Sequence, residues 1–130
     1  MRGQSGFSVV ELLVVGAILG ILALIAIPQY SSYRERAYNS AALADLKHVA
    51  AAQESFFAEH AAYKPIENCS GIAPGTRCAL EGLPGIDKLS KGVSIEVSTS
   101  KTGFIAKASH SKGSKVCTWD TAKGGLIGCS

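Results

Sequence analysis

At 130 residues, 47% of them hydrophobic, and with a net charge of +3, the chain has room for one modest domain and lacks the strong charge of a dedicated polyelectrolyte binder. Its four cysteines, Cys69, Cys78, Cys117 and Cys129, all lie in the C-terminal half. Their C-x8-C and C-x11-C spacings exclude the short ligand pairs of zinc sites and favour a disulfide framework in an oxidising compartment, with free structural thiols as the alternative.

The first predicted element is an apolar helix. From Phe7 to Ile27, only Glu11 and the small Ser8 interrupt residues suited to hydrocarbon. The run is too long for the apolar core of a secretory signal, and Ala26-Ile27-Pro28 is a poor small-residue cleavage site. As a membrane anchor it fits: the stretch would span about 31 Å, close to the thickness of the hydrocarbon layer. Arg2 on one side and Arg34-Glu35-Arg36 on the other leave its orientation undecided.

A plain anchor leaves three features unexplained. Glu11 would cost about 2.5–3.5 kcal/mol at a bilayer centre, and less near its edge. Gly16 and Gly20 form a small-xxx-small pair, which lets another helix backbone come close. Pro28 stands where apolar residues give way to Gln29, Tyr30, Ser31 and Ser32, and should kink or loosen the helix there. Together they predict a helix whose final partners are other protein helices.

The polar leader Met1–Gly6 with its single Arg2, then Phe7-Ser8-Val9-Val10-Glu11, the apolar run and Ile27-Pro28-Gln29-Tyr30, resembles the class III signal of type IV prepilins. The resemblance covers about the first 30 residues; Ser8-Val9-Val10 in place of the commoner Thr-Leu-Ile is its one small departure. It implies cleavage between Gly6 and Phe7 by a prepilin peptidase, and N-methylation of Phe7. It also implies storage in the inner membrane and later extraction by the assembly machinery into an extracellular helical filament of many copies. Phe7, Glu11, Gly16, Gly20 and Pro28 would then be the assembly residues. The Glu11 carboxylate would meet the Phe7 ammonium of a neighbouring subunit, where a buried pair sets register at little net gain in stability. The alternative is a bond to its own Phe7 amine.

Beyond Pro28 the helix is predicted to continue, because residues 34–62 are rich in alanine and free of glycine and proline. Leu43, Leu46, Ala50 and Phe57, with Val49 and Phe56 alongside, form an apolar stripe, and Asp45, Lys47, Glu54 and Glu59 are expected on other faces. Phe7 to Ala62 as one helix would be about 84 Å long. The aromatics along it (Phe7, Tyr30, Tyr33, Tyr38, Phe56, Phe57 and Tyr63) read as core, interface and membrane-edge residues rather than a path for electrons.

Tyr63-Lys64-Pro65 ends the helix. Residues 63–91 read as a connecting loop, rich in proline and glycine, in which a Cys69–Cys78 ring would contribute about 2–3 kcal/mol. After Gly92 the period becomes two. Val93–Val97 and Phe104–Ala108 alternate, and Lys115–Asp120 and Leu126–Cys129 follow, giving an antiparallel meander of three or four strands. Four cysteines allow three connectivities. Locality favours Cys69–Cys78 and Cys117–Cys129. With Lys123 at the last turn's centre, Trp119 would face Ile127 and Cys117 would face Cys129, within disulfide reach. A C-terminal disulfide ring also resembles that of many type IV pilins.

The expected fold is therefore α+β: a long N-terminal helix, half transmembrane and half amphipathic, packed on a small antiparallel sheet. Its segments are a leader (1–6), an apolar helix (7–30), an amphipathic half (31–62), a connecting loop (63–91) and the sheet with its disulfide region (92–130). No catalytic constellation, cofactor motif or metal cluster is legible. His48 and His60 lie about 18 Å apart along one helix, and His110 stands alone in a polar turn; all three read as surface residues. The chain is thus expected to be a structural subunit of a type IV pilus rather than an enzyme, serving adhesion, twitching motility or DNA uptake. One alternative is a type II secretion pseudopilin, a group whose major members more often hold calcium near the C-terminus. Another is a low-copy minor pilin acting as a binding module. For DNA binding the only support is seven lysines between Lys88 and Lys123.

Overall fold

The structure, a computed structural model, describes residues 6–71 and 80–130. Helix α1 (Val9–His60) comes first, followed by strands β1 (Ile66–Ser70), β2 (Val93–Thr99), β3 (Phe104–His110), β4 (Val116–Asp120) and β5 (Gly125–Cys129). The chain divides into two compact units, one ending at Arg34 and the other running from Glu35 to Ser130.

The first unit is the apolar part of α1, with Pro28 inside the helix. In the second unit the remainder of α1 packs on a five-stranded antiparallel sheet of order β1-β2-β3-β4-β5, a meander in which every strand pairs with its neighbour in sequence. Alternation sets its faces: Phe104, Ala106 and Ala108 of β3 are buried while Ile105 and Lys107 are exposed, and Val93, Ile95 and Val97 of β2 join the buried set. The core is completed by Ala42, Leu46, Val49, Ala50 and Ala52 of α1, by Ile66, Cys69 and Cys117, and by Leu80, Leu83, Ile86 and Leu89.

Three expectations need correction. The sheet has five strands rather than three or four, because β1 lies within the segment read as loop. A bulge hides it: Ile66 pairs with Val97 but Cys69 with Ile95, and Asn68 takes a left-handed backbone (φ 40°) that asparagine tolerates. Its two buried residues, Ile66 and Cys69, are three apart, so no period of two is visible. The same connecting segment supplies four core residues, Leu80, Leu83, Ile86 and Leu89.

The second correction concerns the buried face of α1. Leu46, Val49 and Ala50 are buried as expected, whereas Leu43, Phe56 and Phe57 are only partly covered. Asp45 and Gln53 are buried, because each has a backbone partner off the helix. Asp45 accepts bonds from the Ser90 N–H (2.7 Å) and the Ser90 hydroxyl (3.0 Å). Gln53 donates to the Lys64 carbonyl (2.6 Å) and accepts from the Lys64 N–H (2.9 Å). Near the start of this unit, Asn39 accepts from the Ser114 and Lys115 N–H groups (3.1 and 3.2 Å), and Glu35 from the Ser114 hydroxyl. A row of polar side chains on α1 thus ties down the segments that follow it, since a buried polar group is tolerable only when paired.

The third correction is the register of the last hairpin. Cys117 does face Cys129, but a bulge after Thr118 places Trp119 opposite Leu126 rather than Ile127. The turn is a short 3-10 helix, Thr121–Lys123. Asp120 caps it by accepting from the Ala122 N–H (2.9 Å), and Gly124 closes it in the left-handed region (φ 89°).

Candidate functional site: the apolar helix and its acidic start

At the head of α1 the backbone N–H groups lack partners in the helix, and the local sequence supplies them. The Ser8 hydroxyl accepts from the Val10 N–H (3.3 Å), and the Glu11 carboxylate reaches back to the Ser8 N–H (2.8 Å). This is one half of a capping box, with the Ser8 hydroxyl on the Val10 rather than the Glu11 N–H, and the pattern Ser8-x-x-Glu11 before an apolar run would have revealed it. Phe7 carries a peptide nitrogen here, and the Glu11 carboxylate accepts from the Ser8 N–H, one residue further on. A carboxylate in the first turn also complements the positive end of the helix dipole.

Downstream, the helix carries apolar side chains on all sides, and they are exposed. Every large apolar side chain from Phe7 to Ile27 is exposed, from 48% at Val15 to 79% at Phe7. Helix α1 is long and apolar enough to cross a membrane. Gly16 and Gly20 lie in it four residues apart, and a Cβ added at either would meet no atom within 4 Å. The glycines therefore answer to no side-chain contact among the described residues. Arg34 lies over the Tyr30 ring, 5.8 Å from its centroid, where the apolar segment ends.

In the second unit Cys117 and Cys129 form a disulfide across β4 and β5. Val116, Leu126 and Ile127 are exposed beside it. Cys69 is disulfide-bonded as well, and its expected partner Cys78 lies outside the described residues. Among the described residues no group of three His, Cys, Asp or Glu side chains is placed to hold a metal ion. His48 and His60 are exposed, but His110, expected on the surface, is buried at the end of β3. Its ring stacks on Tyr38, and its two nitrogens bond to backbone.

Residues 1–27 match the prokaryotic N-terminal methylation motif. The chain is 45% identical over 69 residues to the type IV major pilin protein PilA of Myxococcus xanthus, covering 53% of this chain and 31% of that protein. It is 44% identical over 59 residues to a fimbrial protein of Pseudomonas aeruginosa, 45% of this chain and 38% of the relative. With the type II secretion system core protein G of Pseudomonas aeruginosa it shares 33% identity over 106 residues, 82% of this chain and 66% of that protein. The chain thus spans well under half the length of the first two relatives.

Proposed function

We propose that the chain is a member of the type IV pilin-like family and the structural subunit of a type IV pilus, a reading supported by its match to the methylation motif and its similarity to type IV pilins. One observation carries the reading. The segment that matches the methylation motif opens a helix whose apolar side chains are exposed on every side, while the buried core is drawn from residues 42–117. Such a helix needs a second environment, lipid first and then other copies of itself. Prepilin peptidase cuts between Gly6 and Phe7, Phe7 is methylated, and the subunit waits in the inner membrane until the assembly machinery extracts it into the filament.

Glu11 has a defined part in this scheme. In the precursor its carboxylate is held by the Ser8 N–H. Cleavage creates an ammonium at Phe7, and in the filament that group on a neighbouring subunit becomes the partner that sets axial offset. Glu11→Ala should leave membrane insertion intact and lower filament yield at least tenfold in sheared surface preparations. Undiminished filaments from that variant would remove the role.

A pseudopilin of a type II secretion system is the second reading, favoured by the long stretch of this chain that aligns with core protein G. Electron microscopy of sheared surface material, with mass spectrometry of its subunit, separates the two. Long surface fibres built from a chain that starts at methylated Phe7 support the pilus. A processed chain confined to the cell envelope supports the pseudopilin.

A further inference from the structure

In the second unit a cavity of about 360 Å³ is lined by Tyr38, Lys91, Gly92, His110, Ser111 and Lys112. Its construction centres on His110. Because the Lys112 N–H donates to Nδ1 (3.0 Å) and the Lys91 carbonyl sits 3.0 Å from Nε2, the ring must carry its proton on Nε2. One imidazole therefore fixes the backbone of both lysines on the rim. Tyr38 stacks on the same ring, with centroids 4.4 Å apart and planes inclined by 22°. Gly92 makes this possible: its φ is 88°, and an added Cβ would lie 2.7 Å from Cε1 and Nε2 of the ring. The Ser111 N–H bonds the Gly92 carbonyl (2.9 Å), closing the rim. Among the described residues, neither the Lys91 nor the Lys112 ammonium engages a carboxylate.

We propose that this cavity binds a sugar ring bearing one negative group, a carboxylate or a phosphate. Its volume lies near the low end of small-molecule sites, roughly 300–1,000 Å³, which suits one ring rather than an extended chain. The Tyr38 ring, backed by the buried His110 ring stacked on it, supplies an apolar wall for the carbon face of the sugar, the Ser111 hydroxyl serves its hydroxyl groups, and the two lysines take the anion. Nucleic acid is the less suitable ligand, because strand binding uses a track of cations with several separate aromatic platforms. The proposal stands independently of the filament role.

The test uses the full chain in detergent micelles, titrated with glucuronate and with glucose 6-phosphate and followed by ligand-observed NMR. Both should bind, more weakly at high salt, and about tenfold more weakly to Lys91→Gln/Lys112→Gln, a surface double variant whose melting should match the parent. Gly92→Ala, which displaces the His110 ring, should also reduce binding. Binding of only one of the two ligands still supports the site and identifies its anion. The proposal fails if neither ligand binds, if neutral glucose or inorganic phosphate binds as well as the sugar anions, or if the double variant binds unchanged. It fails equally if a single-stranded oligonucleotide competes more tightly than either sugar.

Discussion

Tyr63 shows how a single side chain couples the end of α1 to the sheet. Its ring stacks on Phe57 at 4.5 Å and meets Phe104, a buried core residue, at 5.0 Å. Its hydroxyl points to the Glu54 carboxylate, 3.4 Å from each oxygen. Burial first, then the charge and hydrogen bonding of Glu54, raise the phenol above its ordinary value of 10.0. The folded state therefore holds the neutral form more firmly than the unfolded state does. That share of stability is fully present below the ordinary value and lost as pH rises through the raised one. Between about pH 9 and about pH 11 the melting temperature of the parent should fall further than that of Tyr63→Phe, which has no phenol to ionise. Parallel declines would show that Tyr63 contributes nothing to alkaline sensitivity.

Among the elements, the most consequential contacts are those α1 makes through its polar residues. Gln53 satisfies both backbone groups of Lys64, where the chain leaves the helix and turns toward β1. Gln53→Ala leaves an N–H and a carbonyl without this partner and should cost about 2–6 kcal/mol, at about one to three per orphaned group. Thermal unfolding followed by circular dichroism measures it, and a loss below about 0.5 kcal/mol would mean that water replaces the side chain without penalty. These contacts also mark the limit of sequence reading. Alternation announced β2 and β3, and apolar spacing announced Leu46, Val49 and Ala50 of α1. The Asn68 bulge conceals β1, and Asp45 reads as a residue on another face because its partner Ser90 is fixed only by tertiary structure; the Gln53–Lys64 contact carries no sequence signal for the same reason. His110 was misplaced for the same reason, since its burial depends on Tyr38, 72 positions earlier in the chain. At the head of α1 the signal is local, since Ser8 and Glu11 are three apart, yet the sequence reading pairs Glu11 with a Phe7 amine and misses the Ser8 N–H.

For the whole molecule, two compact units divide the physical work. The unit from Glu35 to Ser130 buries its own core, whereas the residues up to Arg34 expose theirs. Gly16 and Gly20 have open space around them, so bulk there should harm no contact within the chain. Gly16→Ile with Gly20→Ile should therefore leave the subunit folded and inserted in the membrane while lowering filament yield at least tenfold, read by sedimentation of sheared fibres. Full yield would mean that close backbone approach at these positions plays no part in assembly.

The four buried residues between α1 and the later strands, Leu80, Leu83, Ile86 and Leu89, imply a rhythm of evolutionary freedom. They recur every third position, while Asp87 and Lys88 between them face solvent; Gly82 and Gly85, at φ 88° and 78°, are held to glycine by the backbone. Surface identity can drift in this segment tooth by tooth, as on a comb whose spine stays fixed. A lineage pressed to change its outward appearance could rewrite the exposed teeth and keep the same interior.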